Sequence, residues 1–448
     1  MDRIDYENRF NDALPDMIGL LSIRSAYDKT SVSETTPYGV PVHEALMYMK
    51  KIAERDGFEV REYEDQAISF SHGKGKERID IASHLDVVAA DEETFRIRVE
   101  DGKIYGRGTS DMKIPMYLTY LSLKLLRERH PHINKEIRIV LGSDEERTMN
   151  DMKLYVAKEG LPAFAFTPDG YFPMAIGEKG SLMWKIKGEY EGIIEMLDGG
   201  SQCNVIPGHA SCVLKNDDLY EEIDAYISEH SFDASLEKKN GKLQITVQGV
   251  PAHASLPKLG HSALVDLLQI LSEVCHDATC EDLYKLYHDG FGRGFGHYIS
   301  EDPYECLSLN LGVLRIKEGK LSGLVDCRYP YGLTAEQLTE DLISKTPFTV
   351  TLPYNEDPTL CSIEDPYVKM MLETYREITK DETEPIISGG VSYAKVFRHC
   401  VSFGPNFPGE KSTAHQKEEY LELKNCIRMF QIYYETIEKI ALAEMDDE

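Results

Sequence analysis

Apolar residues recur every three to four positions over residues 4–23, where Phe10, Leu14, Met17, Ile18 and Leu21 share one face and predict an amphipathic helix. Pro15 lies inside that stretch and predicts a kink. A second stretch of the same period begins near Val42 and is closed by Gly57. The pattern then shortens. Runs of mostly apolar residues at 78–83, 136–141 and 163–167 read as strands. Each is followed by a polar cluster: His84-Leu85-Asp86, Ser143-Asp144-Glu145-Glu146 and Thr167-Pro168-Asp169. Between the first two runs Ile114, Leu118, Leu121 and Leu125 carry a helical period, with Pro115 in the first turn, where its missing N–H costs little. Strand, helix, strand in this order predicts a mainly parallel α/β sheet.

After Gly177-Glu178-Lys179-Gly180 the texture changes. Residues 181–355 alternate strand-like runs at 183–187, 243–247 and 307–313 with helical stretches at 217–229, 261–275 and 334–344, which predicts a separate α/β domain. From Pro366 a helix on Val368, Met371, Leu372 and Tyr375 leads to the turn Ser388-Gly389-Gly390. A Gly/Pro-rich loop over 403–414 follows, then a long amphipathic helix from Tyr420. The chain has no fixed-period repeat, and the acidic end Glu444-Met445-Asp446-Asp447-Glu448 reads as frayed.

Composition narrows the partners. Lys and Arg total 49 against 77 Asp and Glu in 448 residues, a formal net charge of −28. Such a field repels nucleic-acid phosphates and anionic lipid, leaving small neutral or zwitterionic substrates. No run approaches the roughly 18 apolar residues of a membrane helix. The opening Met1-Asp2-Arg3-Ile4-Asp5 carries no apolar signal core. Nine cysteines are sparse and odd in number. The nearest pair, Cys275 and Cys280, fits neither a redox nor a zinc spacing, so reduced thiols in a cytoplasmic protein are expected.

In open α/β sheets ligands bind beyond the carboxyl ends of the strands. Three such ends present His84 and Asp86, Glu145 and Glu146, and Asp169. Asp111 stands at the mouth of a helix after Tyr105-Gly106-Arg107-Gly108-Thr109-Ser110. Taken singly each has an ordinary explanation, an Asp as helix cap or a Glu pair as a solvated face. Together they form the His-and-carboxylate set that zinc-like cations accept, and without a cation the carboxylates would repel one another.

These segments, together with Ala414-His415-Gln416, occur in an order that resembles the co-catalytic di-zinc peptidases, which include aminoacylases, carboxypeptidase G and PepV-type dipeptidases. The dipeptidase branch is the most similar, through Tyr171-Phe172-Pro173, Gly177-Glu178-Lys179-Gly180, Gly199-Gly200, Asn204-Val205-Ile206-Pro207 and Phe403-Gly404-Pro405. The resemblance implies a mainly parallel-sheet, aminopeptidase-like catalytic domain (1–180 and 356–448) with an inserted α/β lid at 181–355. It implies that His84 and Asp169 hold one metal, Glu146 and His415 the other, and that Asp111 bridges. It makes Glu145 the general base acting on a metal-activated water, and Asp86 the carboxylate that orients the His84 imidazole.

In the lid the resemblance makes His253 the oxyanion stabiliser and Arg328 the partner of the substrate carboxylate, with Asn204 and the backbone of Gly389 and Gly390 as further substrate contacts. The chain departs from the family pattern at Met112-Lys113-Ile114 after Asp111, at 89–95 after Val88, at Cys203, and by one extra residue in the turn at 389–394. The expected function is a cytoplasmic, monomeric dipeptidase for unblocked dipeptides. Its expected cofactors are two divalent ions, zinc first and manganese or cobalt as alternatives. The competing readings are an aminoacylase or carboxypeptidase on N-acyl amino acids, and a catalytically silent small-ligand-binding protein.

Overall fold

A computed structural model of the chain describes residues 4–302 and 304–444. Met1-Asp2-Arg3 and, apart from Glu444, the acidic end read as frayed lie outside the described residues. The chain divides into two units. The first comprises Met1–Gly177, Leu360–Ser388 and Ser392–Glu448, the second Glu178–Thr359 with Gly389–Val391.

The centre of the first unit is a sheet whose adjacent strands run Ala67–His72, Glu136–Gly142, Arg78–His84, Phe164–Thr167 and Cys400–Ser402. Arg78–His84 is parallel to both of its neighbours, and Cys400–Ser402 is parallel to Phe164–Thr167. Only the Ala67–His72 pairing within this group is antiparallel. The three strands read from the sequence therefore lie side by side with their carboxyl ends at one edge, which is what gathers their polar clusters.

Helix Tyr6–Leu21 starts where the Asp5 side chain accepts from the Asn8 amide, and it runs on through Pro15. That proline lies on the exposed side of the helix, so the predicted kink does not break it. Helix Val40–Arg55 ends as expected at Gly57, whose φ of +82° suits glycine. Helix Ile114–Arg129 is buried almost all round rather than along the single stripe its period suggests, because the sheet and the terminal helix Leu423–Leu442 both pack on it. The terminal helix begins at Leu423 and not at Tyr420. Tyr420–Glu422 is instead a short strand antiparallel to Lys103–Tyr105, and its backbone bonds belong to that ladder.

The second unit carries an eight-stranded sheet, antiparallel at every pairing, with Ser308–Lys317 and Lys320–Tyr329 near its middle. Helices Tyr220–His230, Ala263–Glu273 and Ala335–Lys345 match the helical stretches read from sequence. A further helix, Ala278–Tyr287, starts at the Asp277 cap and was not legible as a separate element. None of the nine cysteines is in a disulfide.

Each unit has its own apolar core. The only tryptophan, Trp184, is fully buried in the second, with its indole N–H 2.9 Å from Thr339 Oγ1. Its emission therefore reports on the second unit alone. Leu268→Ala, at a fully buried position of that core, should cost about 2–5 kcal/mol. The expected result is a lower urea midpoint for the red shift of Trp184, and an unchanged midpoint would count against this packing.

Candidate active site

The site grows from the carboxyl edge of the parallel strands. His84 is the last residue of its strand and stands in register with Gly142, where the neighbouring strand ends. A Cβ at Gly142 would come within 2.3 Å of both Tyr393 Oη and Asp151 Oδ2, so only glycine lets the chain turn there. Beyond it the backbone amides of Ser143 and Asp144 donate to Asp151 Oδ2, whose carboxylate also takes the Tyr393 hydroxyl. The next two amides, of Glu145 and Glu146, donate to Asp86 Oδ1 and Oδ2 at 3.3 and 3.1 Å. Two carboxylates thus fix four successive amides, and with them the Glu145-Glu146 pair.

Asp86 has a larger part than the sequence suggested. His84 Nδ1 lies 2.9 Å from the Asp86 carbonyl oxygen and 3.4 Å from its carboxylate, so the main chain makes the shorter contact. With Nδ1–H donated there, the Nε2 lone pair of His84 points forward. The Tyr393 ring meets the imidazole edge-on at 6.2 Å between centroids.

At Nε2 the other groups converge. Asp111 Oδ1 is 3.1 Å away, Asp169 Oδ2 3.5 Å and Glu145 Oε2 4.0 Å. The second oxygen of Asp111 faces His415 Nε2 at 2.9 Å, and His415 Nε2 lies 3.1 Å from Glu146 Oε1. One carboxylate is thus shared by two imidazoles. Among the described residues two groups have ligand atoms close enough to share an ion: His84, Glu145 and Asp169, and Asp111, Glu146 and His415.

The donor set fits a pair of cations. With metal–ligand bonds of about 2.0–2.1 Å, tetrahedral ligands lie about 3.3 Å apart, close to the spacings seen here. His84 Nε2 and Asp111 Oδ1 are both buried without a hydrogen-bond partner. Orphaned acceptors of this kind, one imidazole and one carboxylate, are the atoms a cation satisfies.

Proton affinities carry the same message. Burial, and after it Asp169, Glu146 and Asp111 against the pull of His84, pushes the Glu145 carboxyl well above the usual range. Burial also raises Glu146 and Asp169, each with Asp111 adding to the effect. Burial alone would lower His84, but Asp111, Asp169 and Asp86 raise it well above an ordinary imidazole. Bonds to Asp111 and Glu146 push His415 up to about 10. Burial would raise Asp111 too, yet the two imidazoles beside it hold it below the usual carboxylate range.

The loop bearing Asp111 is held from behind. Gly108 has φ +87°, a left-handed conformation that favours glycine. Glu419 Oε1 accepts from the amides of Gly108, Ser110 and Asp111 at 3.1, 2.9 and 3.2 Å, while Arg107 Nη1 lies 2.5 Å from Oε2. Lys113 is fully buried, and its ammonium donates to the carbonyls of Leu20 and Ile23 at 3.3 and 2.7 Å. Burial lowers its pKa to about 7. His415 itself has φ +63°, a strained setting for a non-glycine residue.

The remaining sequence-predicted residues belong to the second unit. There Val205 and His253 form an antiparallel bridge, and the Ala254 amide donates to the Asn204 carbonyl at 2.9 Å, so Asn204 and His253 are neighbours. The Ser255 amide donates to His253 Nδ1 at 3.2 Å, which makes Nδ1 an acceptor and leaves the proton of the neutral ring on Nε2. A Cβ on Gly389 would lie 3.1 Å from Ser255 Cβ, which places the glycine turn against the same loop, with Gly390 following. Arg328 is buried, and its Nε and Nη2 each lie 3.2 Å from an oxygen of Asp326. Asn310, opposite Asp326 in register, donates to the carbonyls of Cys203 and Val205 on either side of Asn204.

Glu419, Arg107 and Asp151 were not picked out from sequence. Lys417-Glu418-Glu419 reads as a solvated run, and Asp151 as one acid in a helix start; only the spacing of Glu419 four residues after His415 is suggestive.

The chain is similar to several known proteins. Two proteins that carry the name "Putative dipeptidase" align along nearly the whole chain. The one from Staphylococcus saprophyticus is 31% identical over 96% of this chain and 97% of its own length. The one from Staphylococcus epidermidis is 30% identical over 97% of each. Human carnosine dipeptidase 1 has a similar fold, with a TM-score of 0.57 at 14% identity over 97% of both chains. So does an aminoacylhistidine dipeptidase from Vibrio alginolyticus, at 0.56 and 14% over 96% of both. Residues 81–439, which run from the strand of His84 past His415, match Peptidase family M20/M25/M40, and the chain belongs to that family.

Proposed function

We propose that the protein is a metal-dependent dipeptidase of the cytoplasm, acting as a monomer on unblocked dipeptides with two divalent ions, zinc before manganese or cobalt. The observation that carries this reading is the Asp111 carboxylate, whose two oxygens face the imidazoles of His84 and His415. His84 and Asp169 would hold one ion and Glu146 and His415 the other, with Asp111 common to both. When bound, such ions supply Lewis acidity to the scissile carbonyl and acidity to water.

The chain's own residues supply proton transfer and positioning. Glu145 is the general base. Its high proton affinity, set by burial among carboxylates, suits a group that takes a proton from the attacking water and returns it to the leaving amine. Asp86 holds the Glu145 and Glu146 amides, so the base keeps its place during the transfer. His253, protonated at Nε2, is a donor of the kind an oxyanion needs. Arg328 would meet the substrate carboxylate with donors not taken by Asp326, and Asn204, Gly389 and Gly390 complete recognition of the free dipeptide. The names of the relatives support a dipeptide substrate over an N-acyl amino acid.

Parallel assays on Ala-Xaa dipeptides and N-acetyl amino acids test the substrate class. At least a hundredfold higher kcat/KM for the dipeptides is expected; the reverse order would mean an aminoacylase, and no turnover of either with metal present would mean a silent binding protein. Chelator-stripped protein should regain activity with two metal equivalents per chain, accompanied by a higher Tm because the ions bind only the folded cluster. Saturation at one equivalent would refute the paired site. Glu145→Gln should lower kcat by about 10²–10⁴-fold while keeping metal stoichiometry, and near-normal turnover would remove Glu145 from its role.

A further inference from the structure

The bridging carboxylate has to present two oxygens in two directions, toward His84 and His415, and its main chain sets where the side chain starts from. Asp111 sits in non-helical backbone (φ −129°, ψ 95°) just ahead of helix Ile114–Arg129, so the helix does not lock it. Beside the turn's own bond from the Lys113 amide to the Gly108 carbonyl at 2.8 Å, one buried side chain from a distant segment holds it. Glu419 is 1% exposed, takes the amides of Gly108, Ser110 and Asp111 on one oxygen, and is neutralised on the other by the equally buried Arg107. Its own carbonyl accepts from the Gly106 amide at 3.0 Å. Glu419 lies four residues after His415, so the same residue joins the loop of the bridging ligand to the segment of a terminal ligand.

We propose that Glu419 is a positioning residue of the metal pair: through three main-chain amides it orients Asp111 so that one carboxylate spans both ions. This rests on the two-ion reading of the site. A carboxylate that collects several amides fixes a loop in one geometry, as an amide side chain opposed by a guanidinium cannot, because the charge-assisted bond to Arg107 becomes donor against donor. Partners behind metal ligands are worth about 10–100-fold in metal affinity.

The test is Mn²⁺ titration of chelator-stripped wild-type, Glu419→Gln and Glu419→Asp proteins, followed by calorimetry and electron paramagnetic resonance. Wild type should bind two ions that are magnetically coupled through the shared carboxylate. Glu419→Gln should bind the second ion about 10–100-fold more weakly and show isolated ions, at a temperature where far-ultraviolet circular dichroism shows the metal-free variant to be folded. A residue that only stabilised the fold would lower the unfolding midpoint followed by circular dichroism and leave the affinity and coupling of the folded protein intact.

If Glu419→Gln fails to fold, Glu419→Asp decides, since one methylene less cannot reach the three amides and Arg107 together. Unchanged affinity and coupling in the folded variant would overturn the proposal and leave the two-ion site standing. Absence of a coupled pair in wild type would overturn both.

Discussion

A single carboxylate facing two imidazoles organises the first unit's site. Around Asp111 stand Glu146 and Asp169, with Glu145 on the His84 side. Like charges 4 Å apart repel by about 4 kcal/mol at an effective dielectric of about 20, so these groups cannot all remain ionised without compensation. Left to themselves they gather protons, which is the direction found for Glu145, Glu146, Asp169, His84 and His415. Asp111 alone moves the other way, because its neighbours on both sides are imidazoles. The protons serve the cluster as counter-charge, a part that paired cations would take when bound.

Negative charge is also used one layer back. Asp86, Asp151 and Glu419 spend their oxygens on main-chain amides: two for Glu145 and Glu146, two for Ser143 and Asp144, three in the Asp111 turn. The loop of Glu145 and Glu146 and the turn of Asp111 are therefore pinned by anions that point at backbone. The strands set the positions of the loops, and these carboxylates set their conformations.

How far the sequence reveals this differs between fold and site. The three parallel strands were legible because each apolar run ends in a polar cluster, and the sheet edge then follows from topology. The start of the terminal helix was not, because Tyr420–Glu422 continues the apolar period while its backbone pairs with Lys103–Tyr105. The residues that converge on the site could be read from their order along the chain. Glu419 could not, since a glutamate in an acidic run looks solvated until a turn more than 300 residues earlier is folded over it. The resemblance marked Arg328 as the partner of a substrate carboxylate, but not that its neighbour two positions back, Asp326, forks onto it.

Lys113 extends the site's reach in another direction. By capping carbonyls at the end of helix Tyr6–Leu21, it ties the turn of the bridging aspartate to the beginning of the chain. The opening helix is thus fastened to the turn of the shared ligand, and clipping it would leave a buried ammonium two residues from Asp111 without these two acceptors.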